Sequence, residues 1–313
     1  IYAGHGPTPC DGGAVRHGCD PIDEPGPTQR QVSPLTFGIW EEDAFQLWMD
    51  VETVMKLREQ SDPDSLRVAE IDQAMRDLTY LVDFEEPRLV VLGKMKEARR
   101  RLAPLLACRN GSTVPEYFCM GHAHLDTAWL WPLAESERKT ARTLTEQLNL
   151  AREYPGYRFL MSQPAQYVMV QQRYPSLFKR LKEAVRKGQV IADGAMWVES
   201  DTNVPSGESL VRQVMHGKRF IKDHFGIDSR VLWLPDVFGY SGALPQILKG
   251  CDVPYFSTAK IFWTYHGLER FPYNNFLWQG IDGSEIVAHL HDNYNSTTDP
   301  AQLIHRWRSR TQK

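Results

Sequence analysis

Short apolar runs alternate with amphipathic stretches from Pro115 to the end of the chain, and this alternation limits the possible folds more than any other feature. In the stretch 205–225, Ser206 can cap a helix whose apolar side chains, including Leu210 and Val214, fall on one stripe. The other amphipathic stretches between the apolar runs are also long enough to form helices. The apolar runs occupy residues 117–120, 158–161, 190–196, 231–234 and 254–257. The pattern predicts an α/β fold built on a parallel sheet or barrel.

The part of the chain before this alternation has a different texture. Residues 1–35 are rich in Gly, Pro and Asp and show no hydrophobic periodicity, so we expect a loose leader or an incompletely folded edge. Three amphipathic runs follow, beginning near Glu41, Ser65 and Leu89. They predict a helical N-terminal domain over 36–112, followed by the α/β domain over 113–313.

The first apolar run leads into a cluster of possible metal ligands. His122, His124 and Asp126 are spaced two residues apart, so on extended backbone they share one face, and His124 and Asp126 can point at one cation. Imidazole plus carboxylate suits zinc or a similar divalent metal. Such a short pattern fits surface or core histidines equally well, but the crowding with Trp129 and Trp131 favours a site.

Two further groups of polar residues follow later apolar runs. Asp236 lies in WLPDVFGYS and is either a helix cap or a functional carboxylate. Its position at the end of a strand favours the functional role. The loop after the third run contains Glu199 and Asp201, which fit a polar connection equally well. Chemistry in parallel α/β folds gathers where strands end, so we expect these groups on one rim.

Composition excludes several classes of partner. A net charge of -3 without basic runs argues against nucleic acid. No apolar stretch reaches about 18 residues, so we expect no membrane partner. The five cysteines include no CxxC pair, which favours reduced thiols in a cytoplasmic protein. The sequence leaves open whether the chain forms a homo-oligomer.

Aromatic side chains are frequent in the polar loops. Their flat apolar faces stack on the C–H faces of sugar rings, while acids and amides bind hydroxyls, so the loops suit a carbohydrate. Many of these aromatics can equally well be core residues. The candidates are Trp129, Trp131, Trp197, Trp233, Phe238, Tyr240, Trp263 and Tyr294.

Four ordered strings carry a family resemblance between about 115 and 300. They are GHAHLDTAWLWP, DGAMWVESDTNVPSGESLVRQ, LWLPDVFGYSGALPQIL and FLWQGIDGSEIVAH. Together they resemble the catalytic domain of glycoside hydrolase family 38, the α-mannosidases. The motif HLDTAWLW and the residue Lys260 in AKIFW are more similar to the cytosolic and vacuolar branch of the family than to the Golgi and lysosomal branch.

The resemblance implies a fold and a metal. The expected catalytic domain is a seven-stranded α/β barrel. It is expected to hold Zn²⁺, or another divalent metal such as Co²⁺, through His124, Asp126, Asp236 and one further histidine. No matching motif for that histidine precedes Lys313, so we expect these 313 residues alone to bind metal poorly and to hydrolyse little.

The resemblance also implies a reaction, the hydrolysis of mannose-containing oligosaccharides with retention. Asp236 is the expected nucleophile as well as a metal ligand. Asp292 is the first candidate for the acid/base, with Asp299 and Asp201 as the others. Alternatively, Asp292 is a turn residue without a catalytic role.

The residues expected to bind substrate are aromatic or basic. Trp129 is the expected sugar platform and Tyr240 a hydrogen-bonding partner, with Trp197 and Lys260 as further contacts.

Two other functions stay open. One is a metal-dependent amidohydrolase or polysaccharide deacetylase that uses His122 and His124 around an activated water and needs no carboxylate nucleophile. The other is an inactive, truncated fragment that binds sugar or metal weakly.

Overall fold

Three helices form the first part of the described chain. The computed structural model describes residues 37–109, 111–262, 271–291, 294 and 297–310. Helices α1 (Glu42–Gln60), α2 (Leu66–Leu81) and α3 (Arg88–Leu106) match the three amphipathic runs. Ser65 caps α2 by accepting a hydrogen bond from the Val68 amide, 3.3 Å away. Leu78, Ala98 and Leu102 are buried between the helices.

Strands and helices alternate in the rest of the described chain. The first half contains β1 (Gly121–His122), α4 (Leu133–Glu153), β2 (Phe159–Met161), α5 (Pro164–Arg173), α6 (Pro175–Arg186), β3 (Val190–Ala192) and α7 (Gly207–Phe225). The second half contains β4 (Val231–Trp233), α8 (Leu244–Gly250), β5 (Tyr255–Thr258), β6 (Asn275–Gln279), β7 (Glu285–Leu290) and α9 (Pro300–Ser309). The first apolar run, 117–120, is not a strand; β1 begins directly after it.

The seven strands lie in two sheets, so the expected seven-stranded barrel is wrong. One sheet has the order β1-β2-β3, with all pairs parallel. The other has the order β4-β5-β7-β6, with β6 antiparallel to β7. Within the described residues no closed barrel is present, since neither β3 and β4 nor the two outer strands form a ladder.

Between β3 and β4 no regular ladder forms, and the contacts lie just beyond β3. Ala195 has a positive φ of 61°, and a backbone hydrogen bond joins the segment after β3 to β4, from the Trp233 amide to the Gly194 carbonyl at 3.4 Å. Side chains complete the connection. The buried Ser229 hydroxyl donates to Asp193 and accepts from the Ala195 amide at 3.0 Å.

Each sheet has its own buried core. Around the first sheet, Leu144, Phe159 and Tyr167 are among the residues that pack between the strands and helices α4 to α7. The second core includes Leu232 and Phe256, against α7 and α8. Among the described helices none is both long and apolar enough to cross a lipid bilayer.

A close approach of α7 to the end of β3 gives a stability prediction. A Cβ on Gly217 would lie 2.7 Å from the carbonyl carbon of Met196, which is backbone and cannot move aside alone. We expect Gly217→Ala to destabilise the protein by about 1–3 kcal/mol, seen as a lower thermal midpoint. Gly93→Ala in α3 is the matched control, because nothing lies within 4 Å of its Cβ. Equal thermal midpoints for Gly217→Ala and the wild type would contradict this packing.

Candidate active site

Five side chains from five strand ends meet at one place. His124 follows β1, Glu199 follows β3, Asp236 follows β4, Lys260 follows β5 and Tyr294 follows β7. Contacts between these side chains join the two sheets at their carboxyl ends. The five residues lie in the segments that follow the strands, where polar side chains do not interrupt a ladder.

His124 is the centre of this cluster. Its Nε2 lies 3.2 Å from Asp126 Oδ1 and 3.3 Å from Asp236 Oδ2, and its Nδ1 lies 2.8 Å from Glu199 Oε2. Both ring nitrogens are buried, yet neither makes a well-directed hydrogen bond. The imidazole therefore lies among three carboxylates that contact it by charge rather than by aligned hydrogen bonds.

These distances fit a shared divalent cation. Two ligands on a tetrahedral zinc, each bonded at about 2.0–2.1 Å, are about 3.3 Å apart, close to the spacing of His124 Nε2 from Asp126 and Asp236. The ligand atoms of the three residues lie within 4.8 Å of one another. Imidazole with two carboxylates is a donor set for zinc and related metals. The structure thus brings together the three residues expected to hold the metal.

The carboxylates around His124 also favour a positive charge on its ring, as its pKa shows. Burial alone would lower the pKa of His124, but Asp126, Asp236 and Glu199 overcome it and raise the pKa to about 11. The three carboxylates all approach one imidazole, and a positive charge between them stabilises this arrangement. A proton on His124 or a divalent metal ion can supply this charge.

Asp236 is held as an ionised carboxylate. Lys260 and Tyr294 both donate hydrogen bonds to its Oδ1, while Oδ2 faces His124. Burial would raise the pKa of Asp236, but His124, Lys260 and Tyr294 lower it to about 2. The side chain remains 22% exposed, so a substrate can reach it.

The expected substrate residues lie in different surroundings. Trp129 is 53% exposed and packs edge-on to Trp131. Trp197 is half-buried, with its ring edge against Phe220. The Tyr240 hydroxyl donates to the Val237 carbonyl at 3.0 Å.

Lys260 is 6% exposed and belongs to the Asp236 cluster. Its ammonium group also lies 4.5 Å from the centre of the Phe238 ring. These contacts hold the ammonium group beside the candidate nucleophile.

Two candidates for the acid/base have structural roles. Asp299 caps α9 by accepting from the Gln302 amide at 3.1 Å. Asp201 accepts from the amides of Asn203 and Val204 and thereby closes a turn. The first candidate, Asp292, lies outside the described residues.

Sequence reasoning gave Glu199 and Tyr294 no specific role at the site. Glu199 stood in a polar loop whose plain reading is a connection, and its side chain is in fact 6% exposed. Tyr294 was one of several aromatic residues. Glu199 contacts His124, and Tyr294 contacts Asp236, because the loops after β1, β3, β4 and β7 lie close together in the fold. The local spacing of residues in the sequence does not predict this proximity.

The sequence of this chain is similar to those of known glycosyl hydrolases. Residues 115–313 match the model of the N-terminal domain of glycosyl hydrolases family 38. The chain is 34% identical over 260 residues to Alpha-mannosidase 2C1 of Homo sapiens, covering 83% of this chain and 24% of that protein. It is 32% identical over 276 residues to Alpha-mannosidase G of Dictyostelium discoideum, covering 88% and 25%.

An Alpha-mannosidase of Saccharomyces cerevisiae is 41% identical over 181 residues, which cover 58% of this chain and 16% of that protein. This chain spans about a quarter of the length of the human and Dictyostelium relatives. The resemblance inferred from the four motifs is confirmed, and the chain belongs to glycosyl hydrolases family 38.

Proposed function

We propose that the protein is a metal-dependent retaining α-mannosidase that acts on mannose-containing oligosaccharides through a covalent mannosyl-aspartate. The main support is the position of Asp236, whose two oxygens face different partners. Oδ2 faces His124 on the side of the candidate metal, and Oδ1 accepts from Lys260 and Tyr294. One carboxylate can therefore serve as both ligand and nucleophile.

His124, Asp126 and Asp236 are the residues that would hold the metal, Zn²⁺ or a similar ion such as Co²⁺. When bound, a divalent cation would supply Lewis-acid binding of neighbouring sugar hydroxyls and so favour mannose, whose hydroxyl at carbon 2 is axial. The remaining roles belong to side chains of this chain.

The proposed chemistry begins at Asp236. Its carboxylate attacks the anomeric carbon, the bond to the leaving oxygen breaks with its electron pair, and that oxygen takes a proton from the acid/base. Water then cleaves the aspartyl ester with the acid/base acting as base. Lys260 and Tyr294 keep Asp236 ionised and fix its direction.

We assign the acid/base role to Asp292. Asp292 stands two positions before Tyr294 in the sequence, and Tyr294 donates a hydrogen bond to Asp236. The structural roles of Asp201 and Asp299 also favour this assignment over the other two candidates.

Aromatic residues beside the cluster support a sugar substrate. A groove of about 580 Å³ adjoins Lys260 and is lined by rings that include Phe238, Phe276 and Trp278. Its size suits a small-molecule ligand. Trp129 lies exposed near Asp126 in the chain and is the proposed sugar platform, with Trp197 and Tyr240 as further proposed contacts.

A cytoplasmic location belongs to the same proposal. Cys108, Cys119 and Cys251 are free thiols in the described part of the chain, which fits a reducing compartment.

Trapping the intermediate tests the nucleophile. A fluorinated mannosyl donor should leave a sugar on the peptide that contains Leu234–Tyr240, detected by peptide mapping, because the retaining mechanism forms an ester at Asp236. Asp236→Ala should lower kcat by about four orders of magnitude or more and abolish labelling. A label on another carboxylate, or release of acetate from acetylated sugars without release of mannose, would refute the assignment.

The metal ligands have a separate test. In a full-length enzyme that includes these residues, His124→Ala should lose bound zinc, measured by metal analysis of the purified protein, and hydrolysis of an aryl α-mannoside should fall about a thousandfold. His216→Ala is the matched control, since His216 lies exposed on α7. Zinc content in His124→Ala equal to that of the control would exclude His124 as a ligand.

A further inference from the structure

Glu199 is a buried carboxylate that the proposed chemistry does not use. Its side chain is 6% exposed, and its Oε1 accepts a hydrogen bond from the Ser162 hydroxyl at 2.6 Å. The other oxygen, Oε2, lies 2.8 Å from His124 Nδ1. The contact with His124 is close but not aligned as a hydrogen bond, so Ser162 is the partner that fixes the Glu199 carboxylate beside the imidazole.

Glu199 also belongs to a clamp around the loop that carries the candidate ligands. The buried Gln163 side chain donates to the Leu125 carbonyl at 2.8 Å, and its oxygen accepts from the Thr127 hydroxyl at 2.8 Å and from the Glu199 amide at 3.2 Å. Leu125 and Thr127 flank Asp126. The loops of β1 and β3 are therefore fixed to each other through one amide side chain at the end of β2.

A second possible metal cluster shares His124. His122, His124 and Glu199 also have ligand atoms within 4.8 Å of one another, on the Nδ1 side of His124. The nitrogens of His122, however, already have partners. Nδ1 lies 3.2 Å from the Leu160 carbonyl, and Nε2 lies 3.2 Å from the Trp233 indole N–H, which can only donate.

These partners fix His122 in one neutral form. Nδ1 carries the proton and donates to Leu160, and the Nε2 lone pair accepts from Trp233. Since a metal needs that lone pair, His122 cannot be a ligand without breaking the bond to Trp233. A cation belongs on the other side of His124.

We propose that Glu199 is a positioning residue that holds His124 by its Nδ1 edge and so directs Nε2 toward Asp126 and Asp236. The negative Oε2 favours a proton on Nδ1, which leaves the Nε2 lone pair for a metal, the arrangement usual for histidine ligands backed by a carboxylate. Ser162 and Gln163 hold Glu199 in turn. This inference rests on the metal site of the proposed function.

The effect should appear in metal affinity. In a competition assay with a chromogenic chelator, carried out on a full-length enzyme that includes these residues, Glu199→Gln should bind Zn²⁺ about 10- to 100-fold more weakly than the wild type, because the charge that orients His124 is lost. Saturating Zn²⁺ should restore most of the activity. Glu208→Gln is the matched control, because Glu208 lies exposed on α7 and should bind as the wild type does.

The outcomes separate the two claims. In a full-length enzyme that includes these residues, absence of zinc affinity in the wild type would defeat the proposed function, whereas equal affinity of wild type and Glu199→Gln would defeat this inference alone. Loss of zinc as complete as in His124→Ala, without rescue by excess metal, would make Glu199 a ligand and overturn the positioning role.

If Glu199→Gln does not fold, Ser162→Ala provides the test. It keeps the carboxylate and removes the hydrogen bond that fixes Oε1, so zinc affinity should fall severalfold. Unchanged affinity in this variant would count against the proposed clamp.

Discussion

The concentration of negative charge around one buried imidazole governs the site. Asp126, Asp236 and Glu199 all approach His124, and Lys260 forms an ion pair with Asp236. Glu199 is buried, whereas the side chains of Asp126 and Asp236 are 34% and 22% exposed, and a cation between the three carboxylates offsets their mutual repulsion. The same three carboxylates raise the pKa of His124. The same charge distribution suits a divalent ion shared by the two aspartates.

The fold serves this centre by bringing strand ends from two sheets together. No ladder joins β3 to β4, and the hydrogen bond of Ser229 with Asp193 connects the two sheets. The two halves of the site are therefore not connected by a backbone ladder between the sheets. The contacts of Gln163 with the β1 and β3 loops show that side-chain hydrogen bonds do this work.

Local patterns in the sequence were sufficient for the helices and for the family. Helical periodicity placed α1 to α3 within a few residues, and the four motifs led to family 38. The barrel was wrong because closure depends on pairing between strands distant in sequence, which local patterns do not specify. Glu199 was undervalued for a similar reason, since its partners Ser162 and His124 are far from it in the chain.

The central claim is that one divalent cation binds between His124 Nε2, Asp126 and Asp236. Anomalous diffraction at the zinc absorption edge, from crystals of the purified protein grown with Zn²⁺, tests it most directly. The account predicts a single strong peak within about 2.0–2.2 Å of these ligand atoms. A peak on the Nδ1 side of His124, between His122 and Glu199, would contradict the account.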